Sequence, residues 1–229
     1  MTLLSVFKVL LWNYTQQTDL TVGTPIANRN RSEIENLIGF FVNTLVLRSD
    51  LSGNPTFIDL LDQVKTTAMD AYSNQDIPFE SVVDALDLER SMSYSPLFQV
   101  MFVLQESLTE YDNRLVDLTI SQVDYDYKIA KFDITLDLQE TGSGLYGHVE
   151  YNSDLFDRST IQRFIQHYLS LLKQVVENSN RRISEYEYIS KQERSQLFVE
   201  WNQKKNYRDT RCLHEMFEYS CEKHLIVLQ

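Results

Sequence analysis

The feature that most constrains this chain is the alternation of helix-type and strand-type hydrophobic patterns along its length. Apolar residues recur at spacings of three and four from Phe57 to Tyr72 and from Ile161 to Val175, which predicts helices with one buried face. Leu97–Gln105 is instead a continuous apolar run, which predicts a strand buried on both faces. Helices that alternate with strands predict an α/β layered domain.

Local signals predict the other elements. Leu3–Tyr14 is apolar on nearly every side and predicts a buried helix, although Lys8 lies inside it. Pro78 fits the first turn of a helix that runs to Leu86. Further helix starts are predicted at Ser32 with Glu35 in capping-box spacing, at Thr56 with Asp59, and at Ser159. Further strands are predicted at Asp19–Thr24, Val42–Arg48, Phe132–Leu138 and Leu145–Tyr151, the last two joined by a turn at Glu140–Gly144.

Charge and cysteine content exclude several classes of protein. The net charge of -12 argues against a nucleic-acid surface, because phosphate binding needs clustered Lys and Arg. The apolar run Leu3–Trp12 is too short to cross a bilayer, which takes about 20 residues. Cys212 and Cys221 form no disulfide framework, so reduced thiols in the cytoplasm are the expectation.

Two spacings resemble ligand sites but have plainer explanations. Gly142, Gly144 and Gly147 match the dinucleotide fingerprint, yet a strand follows them where that fingerprint needs a helix, so a hairpin turn is the better interpretation. A zinc site is disfavoured because closed structural sites draw paired ligands from separate turns. Its candidate ligands are Cys212, His214, Cys221 and His224.

Two polar segments could carry chemistry. The segment Asn74–Glu80 concentrates polar groups before a helix, and its plainer interpretation is a helix N-terminus with Asp76 as the cap and Glu80 favouring the helix dipole. The run Asp124–Tyr127 is most simply a solvated acidic loop. Composition and spacing therefore predict an α/β domain without a self-evident active site.

Several segments, taken in order, resemble the second half of a nonribosomal peptide synthetase condensation domain. Ile38–Thr44 is similar to the family motif "IGxFVNT", and Asn74–Glu80 to "(H/N)QDxPFE". In Arg90–Leu97, which resembles "RDxSRNPL", Ser91, Tyr94 and Ser95 replace Asp, Arg and Asn. Other similar segments are Thr18–Arg29 ("GxPxANR"), Lys131–Leu136, Glu150–Phe156, the linker-like Glu200–Asn202, and His214–Glu218, which resembles the opening helix of an adenylation domain.

The resemblance implies a chloramphenicol-acetyltransferase-like lobe with a mixed sheet covered by helices, incomplete here. In the family, two such lobes enclose a tunnel in which aminoacyl or peptidyl groups, carried on phosphopantetheine arms of carrier proteins, form a peptide bond. No cofactor is expected to bind this chain directly. The family's catalytic motif, HHxxxDG, is absent, since no two histidines are adjacent, so the chain is expected to be inactive alone and to need the N-terminal lobe.

The resemblance also implies a division of the chain and a set of site residues. Residues 1–180 correspond to the C-terminal lobe, truncated at its start, 181–210 to a linker, and 211–229 to the beginning of an adenylation domain. A truncated or frameshifted reading frame is one hypothesis. Alternatives are a non-catalytic fragment that docks carrier proteins, and a lobe of an epimerisation domain. The residues expected on the acceptor side of the tunnel are Asn43, Asn74, Gln75 and Asp76, with Arg29 in a structural role and no metal site.

Overall fold

A computed structural model describes residues 1–87, 95–105, 129–142, 144–203 and 211–225 of the chain. The chain divides into two compact units, Met1–Ser190 and Lys191–Gln229. The second unit contains α6 (Lys191–Ser195), a π-helical turn (Gln196–Glu200) and α7 (Leu213–Leu225). None of the described helices is long and apolar enough to cross a membrane.

The first unit is a five-stranded mixed sheet with helices packed against it. The helices are α1 (Thr2–Thr15), α2 (Ser32–Glu35), α3 (Phe57–Ser73), α4 (Phe79–Ala85) and α5 (Arg158–Glu177). The strands are β1 (Asp19–Ile26), β2 (Asn43–Asp50), β3 (Val100–Gln105), β4 (Ile134–Thr141) and β5 (Gly144–Tyr151). The sheet order is β2-β1-β3-β4-β5, with β2 and β5 antiparallel to their neighbours and β3 parallel to both of its neighbours. This order confirms the predicted α/β class.

The hydrophobic core lies between the sheet and helices α1, α3 and α5. Phe7 of α1 is fully buried, and its ring lies against those of Phe102, Phe164 and Tyr168 at centroid distances of 6.0, 6.2 and 6.4 Å. Helix α1 is therefore buried over most of its surface, as its apolar sequence predicts.

Residues beyond 180 also belong to this core. Ile183 and Tyr186 are 0% and 3% exposed, and a short 3-10 helix holds Ile183–Glu185 against the start of α3. The backbone amide of Ile183 donates to Pro55 O at 3.0 Å, and that of Phe57 donates to Arg181 O at 3.0 Å.

Two predicted helix caps are wrong, although a helix begins within one residue of each predicted position. Ser32 is already the first helical residue of α2, whose cap is Arg31 without a side-chain hydrogen bond, so Ser32 and Glu35 form no capping box. Helix α5 follows Asp157, again without a side-chain cap, so Ser159 does not cap it. Thr56 and Asp59 do open α3, with both hydrogen bonds of the capping box formed.

The strand predictions are correct in position and less so in extent. Strand β1 continues through Pro25 to Ile26, and the apolar run at Leu97 becomes a strand only at Val100. Burial of that strand on both faces is wrong at its end, where Leu104 is 47% exposed. The loop Asp124–Tyr127 and the substituted positions Ser91 and Tyr94 lie outside the described residues.

Candidate functional site

Asn43 joins the start of β2 to the segment between α3 and α4. Its side-chain amide donates to Gln75 O at 2.9 Å and to Ile77 O at 2.8 Å. Its carbonyl oxygen accepts from the backbone amides of Thr44 at 2.9 Å and Phe79 at 3.1 Å. Both ends of the Asn43 amide are therefore satisfied by backbone groups, which fixes its orientation.

Arg29 organises the loop that leads into β2. Its guanidinium donates to the carbonyl oxygens of Ile34 at 2.6 Å and Leu37 at 2.7 Å, and more weakly to those of Glu35 and Gly39 at 3.2 Å. The same group lies over the ring of Phe41, 4.4 Å from its centroid. These contacts place the Arg29 guanidinium on the backbone of its own loop, and its structural role in the family's site stays a prediction.

The other predicted site residues lie on the segment that Asn43 holds. Asn74 caps the C-terminus of α3 and its side chain donates to Asp70 O at 2.9 Å. Asp76 accepts from the side chain of Asn30 at 3.1 Å, so it does not cap α4, which follows Pro78 without a side-chain cap. The expectation that Asp76 caps this helix is wrong because its carboxylate has a partner 46 residues away in sequence.

The structure thus brings Asn43, Gln75 and Asp76 together, while Asn74 faces its own helix. We call Asn30, Asn43, Gln75 and Asp76 the polar cluster. These residues are exposed or half-buried, and they offer amide donors and acceptors and one carboxylate. Such groups can position a substrate by hydrogen bonds, and none of them is a histidine able to move a proton at neutral pH.

The Condensation domain family model matches residues 1–198. The chain belongs to the condensation-domain family. One of the linear gramicidin synthase proteins of Brevibacillus parabrevis is 51% identical over 223 residues, and surfactin synthase subunit 1 of Bacillus subtilis (strain 168) is 39% identical over 219. These alignments cover 94% and 95% of this condensation-domain chain but only 3% and 6% of those proteins.

Solved structures agree with this assignment. The X-domain from teicoplanin biosynthesis has a TM-score of 0.74 at 29% identity, covering 81% of this chain and 43% of the X-domain chain. A four-domain nonribosomal peptide synthetase bound to AMP and glycine has a TM-score of 0.73 at 26% identity. The match covers 83% of this chain and 16% of the synthetase chain. These matches confirm the chloramphenicol-acetyltransferase-like fold and show that the chain corresponds to part of a nonribosomal peptide synthetase condensation domain.

The glycine spacing of the dinucleotide fingerprint belongs to a hairpin in this condensation-domain chain. Gly144 and Gly147 lie in β5, which pairs along its length with β4, so no helix follows them. Gly147 is needed for close packing, because an added Cβ would overlap the side chain of Leu138 and lie 2.9 Å from Asp137 O. The hairpin interpretation is confirmed.

The described part of the chain contains no group of three His, Cys, Asp or Glu residues arranged to hold a metal ion. Cys212 and Cys221 are free thiols there. The side chain of His224, one of the four potential zinc ligands, lies outside the description.

Sequence reasoning missed an exposed apolar loop beside the polar cluster. Ile38 is 105% exposed and Phe40 91%, and they are flanked by the half-exposed Leu37 and Val42. The apolar run "IGFFV" is too short for a helix and could have indicated this loop. It did not, because a short apolar run equally predicts a buried strand.

Proposed function

We propose that this chain acts as the C-terminal lobe of a nonribosomal peptide synthetase condensation domain and supplies the acceptor side of its tunnel. The observation that carries the proposal is the polar cluster, in which Asn43 fixes the 75–79 backbone while Asp76 and Gln75 remain near the surface. The likeness to the two condensation motifs at Ile38–Thr44 and Asn74–Glu80 supports it, because these are the two segments that Asn43 joins.

The proposed reaction joins groups carried by two other proteins. The amine of an acceptor aminoacyl group attacks the thioester carbonyl of the donor, the C–N bond forms, the C–S bond breaks, and the amine proton ends on the released thiol. The donor and acceptor are held on the phosphopantetheine arms of peptidyl or aminoacyl carrier proteins, which are the proposed partners. The chain itself binds no cofactor in this proposal.

The lobe is proposed to be inactive alone. Proton transfer from the attacking amine needs a group within hydrogen-bond reach of the reacting atoms. The HHxxxDG motif is absent from this sequence, and His148 and His167 lie on β5 and α5 rather than in the polar cluster. The N-terminal lobe of a condensation domain therefore has to supply the histidine.

The proposed organisation is a C-terminal lobe, with its boundary predicted at residue 180, then a linker to residue 210 and the beginning of an adenylation domain at 211–229. The burial of Ile183 and Tyr186 in the first compact unit extends the proposed lobe to Ser190. We also propose that the protein is located in the cytoplasm. Helix α7 begins at Leu213, one residue before the adenylation-like segment His214–Glu218. A lobe of an epimerisation domain would share this fold, and the adenylation-like segment favours condensation.

The main alternative is a carrier-docking fragment without a catalytic partner. The exposed apolar loop at residues 37–42 favours it, since a large exposed apolar group on a folded surface is typical of an interaction site. Binding of isolated carrier proteins by this chain, measured by titration calorimetry, supports docking if it is abolished by Phe40→Ser and retained in Met69→Ser, a control at an exposed position on α3.

The experiment that tests the proposed function is an exchange of lobes. Residues 1–198 replace the matching segment of the linear gramicidin synthase protein that is 51% identical, and dipeptide formation is measured with loaded carrier proteins. We expect turnover in the chimera, and none from the isolated chain or from a chimera whose HHxxxDG histidines are changed to alanine. A folded chimera without activity contradicts the proposal, as does turnover by the isolated chain.

A further inference from the structure

Asp76 is the one charged member of the polar cluster, and the structure fixes the backbone on both sides of it. The Asn43 side chain donates to Gln75 O at 2.9 Å and to Ile77 O at 2.8 Å. The residues before and after Asp76 are therefore held against the start of β2, although the segment itself lies between α3 and α4, outside any helix or strand. The exposed Asp76 carboxylate thus projects from a backbone of defined position.

A second side chain holds the carboxylate itself. The side-chain amide of Asn30 donates to Asp76 Oδ1 at 3.1 Å, across 46 residues of sequence. Asn30 lies in the segment between β1 and α2 and follows Arg29 directly. Because the Arg29 guanidinium is bound to four backbone carbonyls of its own loop, the position of its neighbour Asn30 is restrained. Asp76 is therefore held through its backbone by Asn43 and through its side chain by Asn30.

The Asp76 carboxylate is able to bind a cationic partner. Its hydrogen bond within the described part of the chain is made by Oδ1, which leaves Oδ2 able to accept another. It forms no ion pair with a described residue, since the nearby guanidinium of Arg29 binds loop carbonyls and lies over the ring of Phe41. The Asn30 amide is neutral and leaves the negative charge uncompensated. A carboxylate accepts most strongly from a charged N–H donor.

We propose that Asp76 binds the ammonium group of the acceptor aminoacyl group, and that Asn30 is a positioning residue that orients its carboxylate. This inference rests on the proposed function, in which the acceptor lies beside the polar cluster and brings the amine that attacks. The contact is made as the acceptor enters and contributes to binding alone. The ammonium group loses its proton after this contact, and Asp76 takes no part in that transfer.

Binding of two matched probes to the isolated chain tests the inference. One probe is alanyl-pantetheine with an amide in place of the thioester. The other is the same molecule acetylated on its amine, which removes the positive charge. An NMR titration at low ionic strength is expected to give an affinity about five-fold higher for the free amine. Because the probes are otherwise alike, the ratio of their dissociation constants measures recognition of the ammonium group.

Substitutions assign this ratio to residues. Asp76→Asn is expected to reduce it to about one. Asn30→Ala is expected to lower it part of the way without weakening the binding of the acetylated probe, and to change nothing further in an Asp76→Asn background. A purely structural role for Asn30 would weaken the binding of both probes equally. The control is Asp70→Asn, which removes an exposed carboxylate from α3 and is expected to keep the wild-type ratio.

Kinetics in the lobe-exchange chimera separate this inference from the proposed function. Asn30→Ala is expected to raise KM for the acceptor about two-fold and to leave kcat and KM for the donor unchanged, because the contact contributes equally to ground state and transition state. Turnover by the chimera with equal affinities for the two probes, or with a ratio that Asp76→Asn does not change, overturns the ammonium site alone. No binding of either probe to the folded chain also overturns it. A ratio that depends on Asp76, in a chain whose folded chimera is inactive, supports ammonium binding and contradicts the proposed function.

Discussion

A lysine amine inside an apolar core has to find hydrogen-bond partners, lose its proton, or both. Lys8 is 0% exposed, and its amine donates to Leu47 O at 2.8 Å and to the Ser49 hydroxyl at 2.7 Å. Both partners are neutral. Burial therefore lowers the pKa of Lys8 from 10.5 to about 7, since it disfavours the charged form.

This pKa predicts that the protein gains stability as the pH rises from about 7 to about 10.5. In that window the unfolded chain carries a proton on Lys8 that the folded chain lacks, so folding releases a proton. We expect the free energy of unfolding to rise by an amount on the order of a few kcal/mol. Lys8→Met removes this rise and stabilises the protein below pH 7.

Urea unfolding at several pH values measures the effect. The control is Lys65→Met at an exposed position of α3, which retains the wild-type dependence on pH. Equal pH profiles for Lys8→Met and the wild type would show that the amine is charged in the folded protein.

Gly23 is a second residue whose identity is fixed by its surroundings. The ring of Phe98 occupies the place that a Cβ at position 23 would take. That ring cannot withdraw easily, because it is 1% exposed and lies against Phe79 and Phe132 at centroid distances of 5.7 and 5.2 Å.

We therefore expect Gly23→Ala to destabilise the fold by about 1–3 kcal/mol through overpacking. Gly142→Ala, at a position with no neighbour within 4 Å of the added methyl, is the matched control. Thermal unfolding of the two variants measures the difference, and equal midpoints contradict the packing argument.

At the scale of elements, α3 depends on its capping box. The Thr56 hydroxyl accepts from Asp59 N at 3.2 Å, and the Asp59 carboxylate accepts from Thr56 N at 3.2 Å. The Thr56 side-chain hydrogen bond, followed by its backbone hydrogen bond, lowers the pKa of Asp59. Thr56→Ala is expected to cost about 1 kcal/mol of stability in urea unfolding. Ser32→Ala, at the predicted capping box that does not form, is expected to leave stability unchanged, and a loss there equal to that of Thr56→Ala contradicts the assignment.

The elements also show what sequence patterns can and cannot predict here. Helices α1, α3 and α5 and the β4–β5 hairpin follow from periodicity over many residues, which local substitutions cannot hide. The predicted cap at Ser32 is wrong because capping depends on backbone angles, and the sequence of a short helix does not determine those angles. Asn43, Gln75 and Asp76 of the polar cluster were predicted from family motifs, whereas the bonds from Asn43 to residues 75, 77 and 79 form only after β2 and α4 have packed together. A local pattern carries no signal for such distant partners.

At the scale of the whole molecule, the compact first unit ends at Ser190, ten residues beyond the predicted lobe boundary. Residues 183 and 186 are buried among the core side chains, and Tyr186 lies 6.4 Å from the ring of Phe57. The segment 181–190 therefore stabilises the first unit, although its charged sequence is typical of a linker.

Two truncations separate these boundaries. A chain that ends at Ser190 keeps every core residue that the structure describes, so its free energy of unfolding is expected to match that of the same region in the full chain. A chain that ends at Asn180 loses the burial of Ile183 and Tyr186, each contributing about 1.5–3 kcal/mol. It also exposes the Phe57 amide that Arg181 O accepts from. We expect it to be less stable by about 3–6 kcal/mol, measured by urea unfolding monitored by circular dichroism. Equal stability of the two truncations would show that residues 181–190 are a linker, with the lobe complete at residue 180.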